Sequence, residues 1–197
     1  MRIGLFLGML WLLLAGSAFG GDRFDAGHAG FSVSVKGGSN SYRVLGIYVM
    51  PGETIHLRSE TSITVQSADG GLARTAANDW SWTAPERVGL VPVTVKAPDD
   101  RVMTLNAFVM RPASEIRNGR LNGYRIGAYP EKPLKGLAVY LPPKGFVEVT
   151  DENFNTPVSP HFTLGQFICK QASSSAVKYV VLRPALLLKL ERILQAV

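Results

Sequence analysis

The chain holds 197 residues, of which 46% are hydrophobic and 18% charged, with one cysteine and a formal net charge of +6. With Cys169 alone, no intramolecular disulfide can form even in an oxidising compartment, so the fold must rest on its core. The basic residues are scattered, with few aromatics interleaved, which argues against nucleic acid as a partner and suits an anionic polymer such as the cell wall.

Residues 1–20 read as an export signal. Arg2 supplies the positive start, Leu5 to Leu14 the apolar stretch, and Ala18-Phe19-Gly20 the small residues of a cleavage site. A membrane-spanning helix needs roughly twenty apolar residues; Gly16, Ser17, Gly20 and Gly21 interrupt this run early. The expectation is cleavage before Gly21, no stable membrane span afterwards and a periplasmic or secreted location. No cysteine near the cleavage site offers a lipid anchor. The remainder suffices for one ordinary domain, or for a small domain and part of another.

From Phe31 to Met110 the pattern is that of short strands divided by turns. Phe31-Ser32-Val33-Ser34-Val35 alternates with period two, and Lys36-Gly37-Gly38-Ser39-Asn40 breaks it. Val44 to Met50 is the next apolar run, Pro51-Gly52 turns it, and Thr54-Ile55-His56-Leu57 resumes. Further strands are predicted at Ile63 to Gln66, closed by Asp69-Gly70-Gly71, then at Trp80 to Thr83, Leu90 to Val95 and Val102 to Met110. Such spacing without a helical period predicts a β-sandwich over residues 24–112. The stretch from Asp79 to Pro85 followed by Gly89 to Val95 resembles a recurring strand pair of bacterial immunoglobulin-like domains, which makes the expected sandwich immunoglobulin-like. Period two puts Trp80 and Trp82 on one face, read as core rather than as a platform for stacking on sugar rings.

Residues 113–157 read as a connector. Arg117-Asn118-Gly119-Arg120 and Asn122-Gly123 supply tight turns, and the runs Tyr124 to Pro130 and Gly136 to Val149 are strands kept short by Pro and Gly. The period then changes. Leu186, Leu187, Leu190, Ile193, Leu194 and Val197 form one apolar stripe, with Lys189, Glu191 and Arg192 mostly off it, on an amphipathic helix that starts near Pro184. One apolar face calls for a cover, so a docking partner for this helix is expected.

The segment Ser159-Pro160-His161-Phe162-Thr163-Leu164-Gly165-Gln166-Phe167-Ile168-Cys169-Lys170, followed by the Leu-rich run from Arg183 to Leu194, resembles periplasmic zinc peptidases of the D-Ala-D-Ala carboxypeptidase type. The similarity is best between about Tyr124 and Leu194. It implies that residues 158–197 open a peptidase domain of α+β fold, here truncated. It also implies, for a full-length relative, zinc-assisted hydrolysis of peptidoglycan stems or cross-bridges. Members of the family carry a Ser-Gly-Tyr-Arg segment, an S-x-H-x-x-G-x-A-x-D motif holding zinc, and a later Trp-x-His with a nearby Glu as base. None of these strings occurs in residues 1–197. No catalytic, cofactor-binding or metal-binding residue is therefore assigned, and no cofactor is expected in this chain.

The remaining candidates read as structural. His28, His56 and His161 lie too far apart in sequence for the paired spacing of a zinc site. Cys169 with His161 lacks the surrounding pattern of a cysteine transpeptidase and reads as a buried, inert thiol beside Leu164, Phe167 and Ile168. Glu148, Asp151 and Glu152 read as a solvated turn without calcium-loop spacing. The expectation is thus a mainly β chain: an immunoglobulin-like sandwich, a short β connector and a C-terminal amphipathic helix. Its expected role is that of an exported cell-wall protein resembling the N-terminal part of a murein D,D-carboxypeptidase or endopeptidase, inactive by itself, with peptidoglycan as partner. The alternative is a non-enzymatic periplasmic binding or adaptor module.

Overall fold

The computed structural model describes residues 27–127, 129, 132, 134–137, 141–169 and 175–196. The predicted export signal lies outside the described residues. Within them the chain is mainly β, with one α-helix near its C-terminal end.

Residues 28–109 form nine strands in two sheets. One sheet runs β2 (Gly38–Tyr42), β1 (His28–Val35), β4 (Thr54–Ser59), β7 (Asp79–Thr83) and β6 (Gly71–Ala76). The other runs β3 (Val44–Val49), β9 (Val102–Val109), β8 (Gly89–Lys96) and β5 (Thr64–Ser67). The β3–β9 pairing is parallel, and the other pairings within these sheets are antiparallel. Alternation places Val33, Leu57 and Trp82 of the first sheet and Leu45, Val93 and Leu105 of the second in one shared core. This is the expected result of period-two sequences whose apolar face is the buried one.

Trp80 and Trp82 face inward. Trp82 is fully buried and donates its indole N–H to the Asp69 carbonyl at 3.0 Å, while Trp80 packs at the margin of the core and donates to the Ile63 carbonyl, also at 3.0 Å. Trp82 is closed to solvent, and the Arg74 guanidinium lies over the partly buried Trp80 ring at 5.8 Å.

Two of the nine strands lie where no strand is predicted. Residues 38–42, of which 38–40 read as part of a break, form β2, whose inward residues are Asn40 and Tyr42. The Asn40 amide is buried at no polar loss because it donates to the Tyr42 carbonyl at 3.1 Å and accepts from the Tyr42 amide at 3.2 Å. Residues 71–76, read as following a turn, form β6, an edge strand exposed along its whole length. No hydrophobic alternation marks such a strand, because its ladder to β7 is made by the backbone.

The sheet of β3 and β9 is covered on both faces. Tyr48 and Phe108 turn away from the shared core, stack at 5.7 Å between ring centroids, and join a second core with Val147, Val158, Leu164, Leu182 and Leu187. Its cover is built from β13 (Gly145–Val149), β14 (Pro157–Ser159), β15 (Phe162–Thr163), β16 (Lys178–Val180) and α1 (Pro184–Gln195). Gly46 permits this contact: a Cβ there would lie 3.3 Å from the Val158 Cα and 2.9 Å from the Tyr48 hydroxyl. Asn106 ties the layers together by donating to the Pro157 carbonyl at 2.8 Å.

A third core gathers Leu121, Ile126, Phe146 and Tyr179. It draws on β11 (Arg120–Leu121), β12 (Tyr124–Arg125) and β13, and β10 (Arg111–Pro112) pairs with β13 beside it. The predicted strand from Gly136 to Val149 shortens to β13, since Pro142, Pro143 and Lys144 lie outside regular strand and residues 138–140 are outside the described residues.

Candidate functional site

The segment that carries the peptidase resemblance meets α1 at one buried carboxylate. Glu191 is fully buried, and it accepts from the His161 backbone N–H at 2.9 Å through Oε1. Its Oε2 lies 2.7 Å from Nδ1 of the same histidine. The Ser159 hydroxyl, also buried, lies beside this carboxylate. Burial pushes the Glu191 pKa up, but the Ser159 hydroxyl and the His161 ring and amide outweigh it and hold the carboxyl below its ordinary value of 4.5. A carboxylate ionised in the folded state and drawn to two backbone-linked donors acts as a clamp across 30 residues of chain.

The helix face explains why Glu191 is inside. Leu187 and Glu191, four residues apart, are its buried positions; Leu188 packs against the first core, and Gln195 donates to the Tyr42 hydroxyl at 3.2 Å. The predicted stripe of six apolar residues therefore divides. Leu187 faces the protein, whereas Leu186 and Ile193 stand 45% and 59% exposed on the adjoining face, with Leu194 also exposed. Val197 lies outside the described residues. Glu191 was assigned to the polar side by its charge; its spacing from Leu187 was the signal that placed it inward.

A serine, a histidine and a glutamate in contact invite comparison with a hydrolytic triad, and the geometry declines it. The Ser159 hydroxyl is closed to solvent and sits on the carboxylate side, so no substrate carbonyl can approach it. Among the described residues no group of three His, Cys, Asp or Glu is arranged to hold a metal ion. The histidines are separately employed: His28 stacks on Tyr42 at 4.7 Å and bonds Ser41 at 2.8 Å, while His56 lies exposed on β4 opposite Ser81.

Cys169 corrects an expectation. It is exposed, not buried. The 3-10 turn over Leu164–Phe167 resets the alternation, so Leu164, Phe167 and Ile168 pack on the second core and the next side chain points outward.

The carboxylates near β13 also part company. Asp151 and Glu152 are exposed, as a solvated turn requires. Glu148 instead accepts from Arg111 Nε and from the Tyr179 hydroxyl through the same Oε1, at 2.9 Å each. Asn122 donates to the Tyr179 oxygen at 2.7 Å. Burial first, and then the neighbouring Glu148 charge, pushes the Tyr179 phenol up to about 12, so it remains a protonated donor at neutral pH. This network joins β10, β13 and β16 and is a structural brace.

A mostly apolar concavity lies on the first sheet's hairpin side. A groove of about 500 Å³ runs between the β1–β2 hairpin and the start of α1, floored by Val35, Leu45, Ile47, Leu182 and Leu188. Its one ammonium, Lys36, is held by Glu53 at 2.6 Å and by the Tyr48 carbonyl at 2.8 Å. Such a lining is suited to an apolar group, with Ser39, Lys36 and Tyr48 as its polar side chains beside Asn40. Compared with known proteins, the chain matches no family model and no curated protein sequence.

Proposed function

We propose that this chain is an exported cell-wall protein with the character of the front part of a peptidoglycan D,D-carboxypeptidase or endopeptidase, and that it supplies structure and binding rather than bond cleavage. The observation that supports this reading is the clamp of Glu191 on His161. It joins the two segments that carry the resemblance, Ser159–Lys170 and Arg183–Leu194, into one unit with the outward apolar face of α1 beside it. In such a peptidase fold, further structure would cover that face.

The strand order supports reading the nine-strand body as immunoglobulin-like. The order β1-β4-β7-β6 against β9-β8-β5 corresponds to ABED against GFC, with β3 added in parallel beside β9. It departs from antibody domains in lacking an inter-sheet disulfide and in placing its buried tryptophan on β7.

The test is co-sedimentation of the purified chain with isolated peptidoglycan sacculi, alongside elemental analysis and an assay for released D-alanine. The expected result is saturable co-sedimentation, no stoichiometric zinc and no D-alanine. About one tightly bound zinc per chain, together with D-alanine release, would overturn the non-catalytic part of the reading; absence of wall binding would overturn the rest.

The exposed Leu186 and Ile193 favour a second reading, a periplasmic adaptor whose helix docks on another protein. Substituting both with glutamate should raise the monomer fraction in light scattering and leave the melting temperature unchanged, because neither side chain contributes to the buried cores. A lowered melting temperature would show that this face is packed within the chain and would remove the basis for the adaptor reading.

A further inference from the structure

We propose that the arginine rung of residues 117–125 is a binding site for a compact phosphate group bearing more than one negative charge. Two Asn-Gly turns fold this segment back on itself twice, with Asn118, Gly119, Asn122 and Gly123 all at positive φ between 46° and 82°. That is the geometry Asn-Gly pairs favour in two-residue hairpins. Arg117 pairs with Arg120 through two backbone hydrogen bonds of 2.8 and 2.9 Å, and Arg120 pairs on its other side with Arg125. Residues directly opposite in antiparallel strands share a face, so the three guanidinium-bearing side chains form one cross-strand row. Adjacent strands lie about 4.8 Å apart, which sets the row within about 10 Å.

The opposite face explains why the row points outward. Ile116, Leu121, Tyr124 and Ile126 alternate with the arginines and pack into the third core, leaving Arg117, Arg120 and Arg125 exposed. Arginines scattered in sequence thus become a single positive spot.

Like charges directly opposite each other destabilise a strand pair. Among the described residues no carboxylate pairs with any of the three. The nearby Glu115 bonds Arg111 instead. Arg117 Nη1 donates to the Ser114 and Ile116 carbonyls at 2.6 and 3.0 Å, and Arg120 Nη1 to the Gly123 carbonyl at 2.8 Å. Those bonds fix two of the side chains without neutralising them and leave other N–H groups for an oxyanion. A hollow of about 320 Å³ bordered by Asn118, Arg120, Arg125 and Ile126 gives the ligand room beside the row.

Three guanidiniums concentrated on one rung match a compact multiply charged phosphate better than singly charged carboxylates spaced along a polymer. The phosphate can belong to a soluble ester or to a lipid headgroup. This site is independent of the cell-wall reading.

The experiment titrates the full chain with inorganic pyrophosphate by calorimetry and floats it with vesicles of phosphatidic acid in phosphatidylcholine, using phosphatidylcholine alone as reference. Saturable binding that weakens as salt is raised is expected. Arg120→Gln and Arg125→Gln should each reduce affinity about tenfold, while Arg74→Gln on β6 should not. Both rung variants should keep or raise the melting temperature, since each removes a like-charge opposition; a merely structural role predicts the reverse. Binding of pyrophosphate identifies a soluble ester as sufficient, and binding confined to anionic vesicles identifies a lipid headgroup. No saturable binding to either probe, equal loss in Arg74→Gln, or loss of binding accompanied by a lowered melting temperature in both rung variants would overturn the site.

Discussion

Replacing Glu191 with alanine is expected to destabilise the chain by about 3 kcal/mol, at the lower end of what removing one partner of a buried pair costs. The lower end applies because the His161 side chain left behind is 28% exposed and can turn to water. The loss has three sources: the carboxylate acceptor taken from the His161 N–H, a buried Ser159 hydroxyl without its carboxylate neighbour, and the space left under α1. Glu191→Gln retains an acceptor oxygen and should lose only roughly 1–2 kcal/mol. Urea unfolding of the three proteins at pH 7 measures both effects. An alanine variant as stable as the parent would mean that the clamp does not hold α1.

The same carboxylate predicts an acid dependence. Its folded-state pKa is held below the ordinary value of 4.5, so its contribution to stability is fully present above 4.5 and is lost as pH falls through the lower folded value. The parent should therefore lose stability on acidification below pH 4.5 more steeply than Glu191→Gln, which has no proton to take up there. Parallel pH profiles for the two would assign the acid slope to other groups.

Isolating residues 24–112 should produce a fragment that still unfolds cooperatively but at a clearly lower urea midpoint. The first core lies almost wholly within the fragment, which is why cooperativity is expected. Cutting there nevertheless bares Tyr48 and Phe108, now 5% and 1% exposed, and uncovers part of Leu90 and Met110. At about 1.5–3 kcal/mol for each fully buried side chain, the Tyr48–Phe108 pair alone accounts for roughly 3–6 kcal/mol. Asn106 also loses the Pro157 carbonyl. Tryptophan emission follows the transition, since Trp82 sits in the core that remains. Equal midpoints for fragment and full chain would show that the C-terminal half rests on the sandwich without stabilising it.

The two faces of β3 and β9 were legible once their sequences are seen as unusually continuous. Val-Leu-Gly-Ile-Tyr-Val has no polar position of the kind that alternates in β1 and β4, and the C-terminal half of Val-Met-Thr-Leu-Asn-Ala-Phe-Val has only the buried Asn106; a strand covered on both sides has no solvent face to mark. The cover comes from Val147, Val158, Leu164, Leu182 and Leu187, far along the chain, and no local pattern marks that contact.

The sequence by itself determined the strands whose apolar residues alternate, the inward turn of Trp80 and Trp82, and the start of α1 at Pro184, because each is encoded by local period or by a residue's own backbone preference. It did not determine β2 or β6, whose side chains are polar or exposed and whose pairing is written in the backbone of their neighbours. Nor did it decide which side of α1 is buried, the outward turn of Cys169, or the gathering of Arg117, Arg120 and Arg125 on one rung. Those depend on partners: Glu191 is tolerable inside only because His161, thirty residues earlier, comes within 2.7 Å of it. Apolar burial follows a pattern that any neighbouring surface satisfies, whereas a buried charge or a row of like charges takes its meaning from specific atoms that only the folded chain brings together.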